Sequence, residues 1–131
     1  MASRDLYSIV KAAQSLAPAA RTASAQGAAV DLKGFHSALV LIDVGTWTDG
    51  THTFELQESD DGVTWAAVTD ADLQGTEPVV NDAADDLTVY ELGYLGSKRY
   101  LRVAVSVAGA TSGAVYGASI VRGHPADAPT R

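Results

Sequence analysis

The feature that most constrains the fold is the spacing of apolar residues after Phe35. The runs are short, alternating or continuously apolar, and each is closed by Gly, Asp, Asn or Thr, as strands are. No stretch beyond residue 35 keeps a helical period. The run 37–44 is apolar on both faces, which is typical of a central strand. One of its faces carries Ala38, Val40, Ile42 and Val44.

The run 53–58 alternates cleanly and places Phe54 and Leu56 on its inward face. It leads into Ser59-Asp60-Asp61-Gly62, where an Asp side chain caps a tight turn and Gly takes a positive φ, and the chain returns over 63–68. Further runs at 87–95, 99–107 and 114–122, with shorter ones at 28–32 and 77–80, bring the count to seven or eight. These spacings predict an all-β fold, an antiparallel β-sandwich, with jelly-roll order preferred over Ig-like order.

The chain of 131 residues suits one domain. We expect an N-terminal arm over 1–27, a β-sandwich domain over 28–123 and a C-terminal tail over 124–131. The arm carries apolar residues at spacings of three and four, which allows either a short amphipathic helix ending at Pro18 or an extended strap. A polar disordered tail would not need Leu6, Ile9 and Leu16, so we expect the arm to be ordered.

Charge and composition exclude several classes of protein. The net charge is −7, and no Lys or Arg occurs between Lys33 and Lys98, a stretch that holds 13 of the 16 acids. Such a field repels phosphate, so no nucleic-acid partner is expected. No apolar run is long enough for a membrane helix, and the N-terminus lacks the pattern of a signal peptide. The absence of Cys excludes disulfide frameworks and Cys-type zinc sites.

The sequence contains no recognisable catalytic motif. His36, His52 and His124 are too far apart in the chain to form a paired-ligand motif, and neither a Gly-x-Ser-x-Gly elbow nor a phosphate loop is present. We therefore expect neither an enzyme nor a cofactor.

Two weaker binding motifs stay open. Asp82, Asp85 and Asp86 supply the hard oxygens that calcium prefers, although solvated turns explain the same residues. Trp47 is the candidate for an exposed platform that holds a sugar ring, while Trp65 is expected to fill the core beside the hairpin.

Two resemblances go beyond these patterns. Residues 58–65, followed by 98–103, resemble the Ser-Asp-Asp-Gly-x-Thr-Trp hairpin and Arg-Tyr-x-Arg strand of galactose-binding-like β-sandwich modules. Residues 28–35, the same hairpin, and residues 72–75, 93–100 and 121–125 together resemble small head structural proteins of tailed bacteriophages, a similarity that covers nearly the whole chain.

The second resemblance implies a capsid decoration (cement) protein. Such a protein is made in the bacterial cytoplasm, binds the major capsid protein on the outer surface of the virion, commonly as a trimer, and stabilises the shell. The candidate contact residues are Leu6, Ile9, Val10 and Leu16 on the arm, with Arg21 and Lys33 as polar anchors. Two alternatives stay open: a head-completion or tail-associated structural protein, and a carbohydrate-binding β-sandwich module.

Overall fold

The structure, a computed structural model, describes residues 4–127. These residues form eleven strands and three single 3-10 turns, at Tyr7–Ile9, Asp70–Asp72 and Ala83–Asp85, with no α-helix among them. The strands are β1 (Lys11–Arg21), β2 (Ala25–Gln26), β3 (Val30–Asp31), β4 (Phe35–Trp47), β5 (Thr51–Ser59), β6 (Ala66–Ala67), β7 (Leu73–Gln74), β8 (Val79–Val80), β9 (Val89–Tyr94), β10 (Tyr100–Ala108) and β11 (Ala114–Pro125).

The strands make two antiparallel sheets that pack face to face. The first, here the five-stranded sheet, has the order β1-β11-β4-β9-β7. The second, here the six-stranded sheet, has the order β2-β10-β5-β6, with β3 also on β10 and β8 also on β5. β2 and β3 together count as one broken strand, and β6 and β8 as another. With that count, the two sheets have the strand order of a jelly roll, which consists of two Greek keys. The predicted β-sandwich is confirmed.

Alternation along the strands builds the core between the sheets. The inward faces of β4, β5, β10 and β11 are almost fully buried, as their period of two requires. β4 lies between β11 and β9, so its prediction as a central strand is confirmed. The core residues of these four strands include Val40, Ile42, Val44, Phe54, Leu56, Leu101, Val103, Val105, Tyr116 and Ile120.

The predicted turn after β5 is also confirmed. Gly62 has φ of 76°, and Asp61 Oδ1 accepts hydrogen bonds from the N–H groups of Val63 and Thr64, both at 2.9 Å. The return strand is shorter than the predicted run 63–68, because the turn occupies the chain as far as Thr64 and only Ala66–Ala67 pair with β5.

The N-terminal residues differ most from expectation. Residues 11–21 are not a separate arm or helix but the edge strand β1, paired with β11 from Lys11 to Arg21. The register of β1 on β11 shifts at two places, and Pro18 lies within the second. Proline has no backbone N–H to donate, which an edge strand tolerates. The sandwich therefore begins well before residue 28.

The C-terminal boundary also moves. His124 and Pro125 complete β11, with Pro125 opposite Phe35, and the Ala126 N–H donates to the Gly34 carbonyl at 2.8 Å. The start of the predicted tail is thus part of the sheet. Residues 128–131 lie outside the described residues.

A buried hydroxyl joins the two sheets where β1 runs along their edge. Ser15 Oγ accepts a hydrogen bond from the Val103 N–H of β10 at 3.0 Å and donates to the Ala28 carbonyl at 2.9 Å. Ser15 itself is buried. Gly27 fits against it only because it lacks a side chain, since a Cβ there would lie 2.3 Å from Ser15 Oγ. β1 is thus bonded to both layers of the sandwich.

His52 is buried at the opposite end of the core. Its Nε2 lies 3.1 Å from the Asp49 carbonyl, an acceptor, so Nε2 carries the proton and Nδ1 accepts from the Tyr116 hydroxyl at 2.8 Å. The alternation of β5 identifies this position as inward, but the partner that satisfies the ring comes from β11, 64 residues away.

We expect Ser15→Ala to destabilise the fold by about 1–3 kcal/mol, because it leaves the buried Val103 N–H without an acceptor. Urea denaturation followed by tryptophan fluorescence measures the change. Ser119→Ala, on the outer face of the same sheet, is the matched control and should change stability by less than about 0.5 kcal/mol. Equal effects of the two substitutions would contradict the role given to Ser15.

Candidate docking surface

The outer face of the five-stranded sheet is unusually apolar at one end. The strand registers place Ala12, Val121, Leu39 and Gly93 side by side across β1, β11, β4 and β9. The next row toward the middle of the strands changes to Gln14, Ser119, Leu41 and Glu91. The row without polar side chains thus lies toward the end at which β4 begins.

At that end the surface forms an open groove of about 680 Å³. We call it the apolar groove and define it by Leu6, Ile9, Val10, Leu39, Val121 and Pro125. Leu6 is 65% exposed, Ile9 43% and Leu39 37%, although each is a large apolar side chain. None of the residues that line the groove is an Asp or a Glu, despite the acidity of the chain.

Two residues that line the groove, Gly93 and Gly123, lack side chains. Gly93 leaves room for Gln74, whose Oε1 would lie 2.4 Å from a Cβ placed there. Gly123 is more open, since a Cβ would lie 3.4 Å from Ser37 Oγ and 3.9 Å from Val10 Cγ1. On the other side, the 3-10 turn Tyr7–Ile9 packs on β11 because β1, which follows it, is paired there.

A second concavity adjoins the apolar groove. This cationic cavity, of about 480 Å³, is defined by Lys33, Lys98 and Arg99 and shares His36 and Ser37 with the groove. The loops at the opposite end of the sandwich carry Asp49, Asp82, Asp85 and Asp86 instead. Lysine and arginine side chains thus adjoin the groove, together with the acids that pair with them, while the far end carries acids.

Ion pairs hold two of the three cations of the cavity. Lys98 Nζ contacts Asp60 at 2.8 Å, and Arg99 forms a two-pronged pair with Asp31, at 3.0 Å from Nε and 2.9 Å from Nη2. The Arg99 guanidinium lowers the pKa of Asp31 to about 2. Tyr94 lines the same cavity. Burial and a hydrogen bond to Glu58 raise the pKa of its hydroxyl, so the hydroxyl stays protonated.

The predicted contact residues divide into two groups. Leu6, Ile9 and Val10 meet in the apolar groove, and Lys33 lies in the adjoining cavity. Leu16 does not belong with them: it is 3% exposed and faces the core from β1, opposite Ala118. Helical spacing had grouped Leu16 with Ile9, but an extended strand turns alternate residues inward.

Arg21 is not an outward anchor either. Its guanidinium donates to the carbonyls of Tyr116 at 2.9 Å and Ala17 at 2.6 Å, and therefore bridges the irregular end of β1 to β11. The sequence reasoning also missed Leu39, Val121 and Pro125. Leu39 had a signal, the apolar outward face of the run 37–44, which was interpreted as central burial alone; Val121 and Pro125 lie in β11, outside that run.

Neither tryptophan has its predicted role, and both are half-buried. Trp47 is half-buried against the core, and its Nε1 donates to the Gly50 carbonyl at 2.8 Å, so it offers no exposed platform. Trp65 lies at the surface of the six-stranded sheet, half-exposed, with the Arg102 guanidinium 4.2 Å from its ring centroid.

The predicted calcium ligands serve the turn instead. Asp82 accepts from the Ala84 N–H, Asp85 from the Asn81 N–H and the Tyr90 hydroxyl, and Asp86 from the Trp47 N–H at 2.7 Å. Within residues 4–127 no group of three or more His, Cys, Asp or Glu side chains is placed to hold a metal ion.

A serine and a histidine, residue types that are paired in nucleophilic catalysis, lie together at the rim of the groove. Ser37 Oγ lies 2.6 Å from His124 Nδ1 on the paired strands β4 and β11. A nucleophilic serine also needs a group that orients the histidine. No Asp or Glu lines the groove, and the Ser37–His124 contact is a hydrogen bond between the paired strands β4 and β11 at its rim.

Comparison of the chain with protein-family models, curated proteins and solved structures finds no match. Among the described residues, no helix has the length and apolar character needed to cross a membrane. An uncharged apolar groove beside cations can bind an apolar protein segment that is flanked by acidic groups.

The Asp31–Arg99 pair should make stability depend on pH. Because the pKa of Asp31 falls from about 3.9 in the unfolded chain to about 2 in the folded one, its contribution is complete above pH 4 or so and disappears as pH falls toward 2. At pH 6, Asp31→Asn should lower the free energy of unfolding by less than about 1 kcal/mol, because the pair is exposed. At pH 2 the same substitution should cause no measurable change.

Urea denaturation at both pH values measures this difference. Arg99→Gln should show the same dependence, and the double variant should be no less stable than either single one. A loss that is equal at both pH values would contradict the pair as its source.

Proposed function

We propose that this protein is a non-enzymatic structural protein of a bacteriophage virion, a capsid decoration protein that binds the outer surface of the shell. Its partner is the major capsid protein. The proposal joins the resemblance of the sequence to small phage head proteins with the chemistry of the outer face of the five-stranded sheet.

The observation that carries the proposal is the apolar groove. Exposed apolar surface with a polar rim is typical of protein-binding sites. Here three large apolar side chains, Leu6, Ile9 and Leu39, stay exposed and lie together in one groove. Three of the six predicted contact residues also meet at this groove.

The surroundings of the groove favour a protein partner. Lys33 lines the cationic cavity that adjoins the groove, and its charge contributes to the lowered pKa of Asp31 without a salt bridge between the two side chains. Cations beside an apolar contact favour a partner with acidic residues around its own apolar segment, and they fix the orientation of docking.

A decoration protein stabilises the shell because many copies bind to it. Each copy would bury a modest apolar area, and many copies in a symmetric array would add their contacts around the shell. We expect the protein to assemble as a homo-oligomer, with a trimer at threefold positions as the favoured form.

The proposal is tested by counting copies in purified virions of the phage that encodes the chain. Quantitative mass spectrometry should give a number of copies comparable to that of the major capsid protein. Particles that lack the protein, incubated with purified Leu39→Asp, should bind far less of it than of the unchanged protein, because a carboxylate would be desolvated in the groove.

Val63→Asp is the matched control, since Val63 is 81% exposed and lies in the Asp61 turn, outside the groove. It should bind as the unchanged protein does. A few copies per virion would favour a head-completion or tail-associated protein instead. Absence of the protein from the virions, or equal binding by Leu39→Asp, would overturn the proposal.

A further inference from the structure

The outer face of the five-stranded sheet carries a second apolar surface, at the end where the acidic loops lie. Leu87 is 85% exposed, Val89 55% and Val115 41%. Val115 flanks Gly45 on one side, and on the other side the Leu87 N–H donates to the Gly45 carbonyl at 3.0 Å. We call Leu87, Val89 and Val115 the acidic-end patch.

Leu87 is held exposed at a conformational cost. Its φ is 53°, in the left-handed region that a bulky side chain rarely adopts. Two backbone hydrogen bonds keep it there: the Leu87 N–H donates to Gly45, and the Thr88 carbonyl accepts from the Val44 N–H at 2.9 Å. Strain of this kind concentrates at contact and switch sites, so the exposed leucine is a candidate contact residue.

Four rows of residues cross this outer face, spaced about 6.8 Å apart because alternate residues of a strand share a face. The groove row, with Leu39 and Gly93, comes first, and the row of Leu41 and Glu91 comes second. The third row is Gly117, Asp43 and Val89. The fourth row is Val115, Gly45 and Leu87. The apolar groove and the acidic-end patch therefore lie at opposite ends of one face, with about 20 Å between the first and fourth rows.

The charges around these two apolar surfaces are of opposite sign. The apolar groove has no acid in its lining, and it adjoins the cationic cavity, whose three cations outnumber the two acids paired with them. The acidic-end patch is bordered by Asp43, which is paired with Val89, and by Asp85 and Asp86 just before Leu87. Two copies that met groove to groove would bring like charges together, whereas groove against patch brings unlike charges together.

Large and small residues also match when two copies face each other with their strands antiparallel. A two-fold axis that crosses the strands between the second and third rows places the first row of each copy over the fourth row of the other. Leu39 then lies opposite Gly45 of the second copy, and Leu87 of that copy lies opposite Gly93, beside the Gln74 side chain. Each leucine thus faces a glycine across the contact.

We propose that two free copies of this protein associate through this face, each covering the apolar groove of the other with its acidic-end patch. The contact is two-fold symmetric and closes on itself, so it forms a dimer and not a chain. The face is only about 20 Å long and about 14 Å wide over four strands, so the dimer is weak and reversible. The inference rests on the proposed function in one respect: the shell needs the same groove, so the dimer must open before the protein binds and forms a trimer there.

The test combines sedimentation velocity with an NMR dilution series of the isotope-labelled protein, at concentrations up to about 1 mM. The unchanged protein should pass from monomer to dimer as its concentration rises, and the amide shifts should map to both ends of the face, at Leu39 and Gly93 and at Gly45 and Leu87. Leu87→Asn should weaken dimerisation by about tenfold or more, because it removes a central apolar contact. The variant should remain folded, since asparagine tolerates the left-handed region better than leucine does.

Val63→Asn is the matched control, because Val63 is as exposed as Leu87 but lies in the Asp61 turn, outside this face. It should dimerise as the unchanged protein does. The proposal is overturned if the unchanged protein stays monomeric over the whole range, or if the shifts map to other surfaces. It is equally overturned if Leu87→Asn dimerises as tightly as the unchanged protein.

Binding to particles that lack the protein separates this inference from the proposed function. Leu87→Asn should bind them at least as well as the unchanged protein, because no second copy then competes for the groove. A dimer that does not bind the particles would contradict the proposed function alone, and particle binding by a protein that never dimerises would contradict the dimer alone. Loss of particle binding in Leu87→Asn would overturn the competition, since Leu87 would then contact the shell itself.

Discussion

The pairing of β1 at the edge of the five-stranded sheet is the interaction on which the rest of the structure depends. Ser15 bonds this strand to β10 of the other sheet, while its backbone pairs with β11. Leu16 then enters the core, and the turn Tyr7–Ile9 is held over the outer face of β11. Without this attachment the groove would lose Leu6, Ile9 and Val10, one of its two walls.

The two outer faces differ because each sheet meets the core on one side only. The core requires apolar residues at alternate positions, and it leaves the other positions free to vary. In the five-stranded sheet those positions carry Leu39 and Val121, whereas in the six-stranded sheet they carry Glu55, Gln57 and Arg102. One sandwich therefore has an apolar groove on one outer face and hydrogen-bonded polar side chains on the other.

Sequence patterns predicted most of the long strands, but they predicted the roles of only some of the surface residues. Phe54 and Leu56 could be assigned inward, and Asp61 and Gly62 to a turn, because period and turn chemistry are local. The tryptophans could not be assigned from the sequence. Trp47 packs against core residues and donates to the Gly50 carbonyl, while Trp65 is stacked under Arg102 from another strand. Asp82, Asp85 and Asp86 were ambiguous for a similar reason, because the same oxygens can cap backbone N–H groups or bind a cation.

By itself the sequence determined the class of fold, the inward face of each long strand and the position of the tight turn, because these follow from alternation and from the backbone preferences of single residues. Only the tertiary structure decided that residues 11–21 are a strand, that Leu16 is buried while Ile9 is exposed, and that Leu39 and Val121 share a groove with the N-terminal turn. The physical reason is that the order of strands in a sheet brings together residues far apart in the chain. Arg102 and Gln57, or Val10 and Gly123, are neighbours only after the jelly roll has formed.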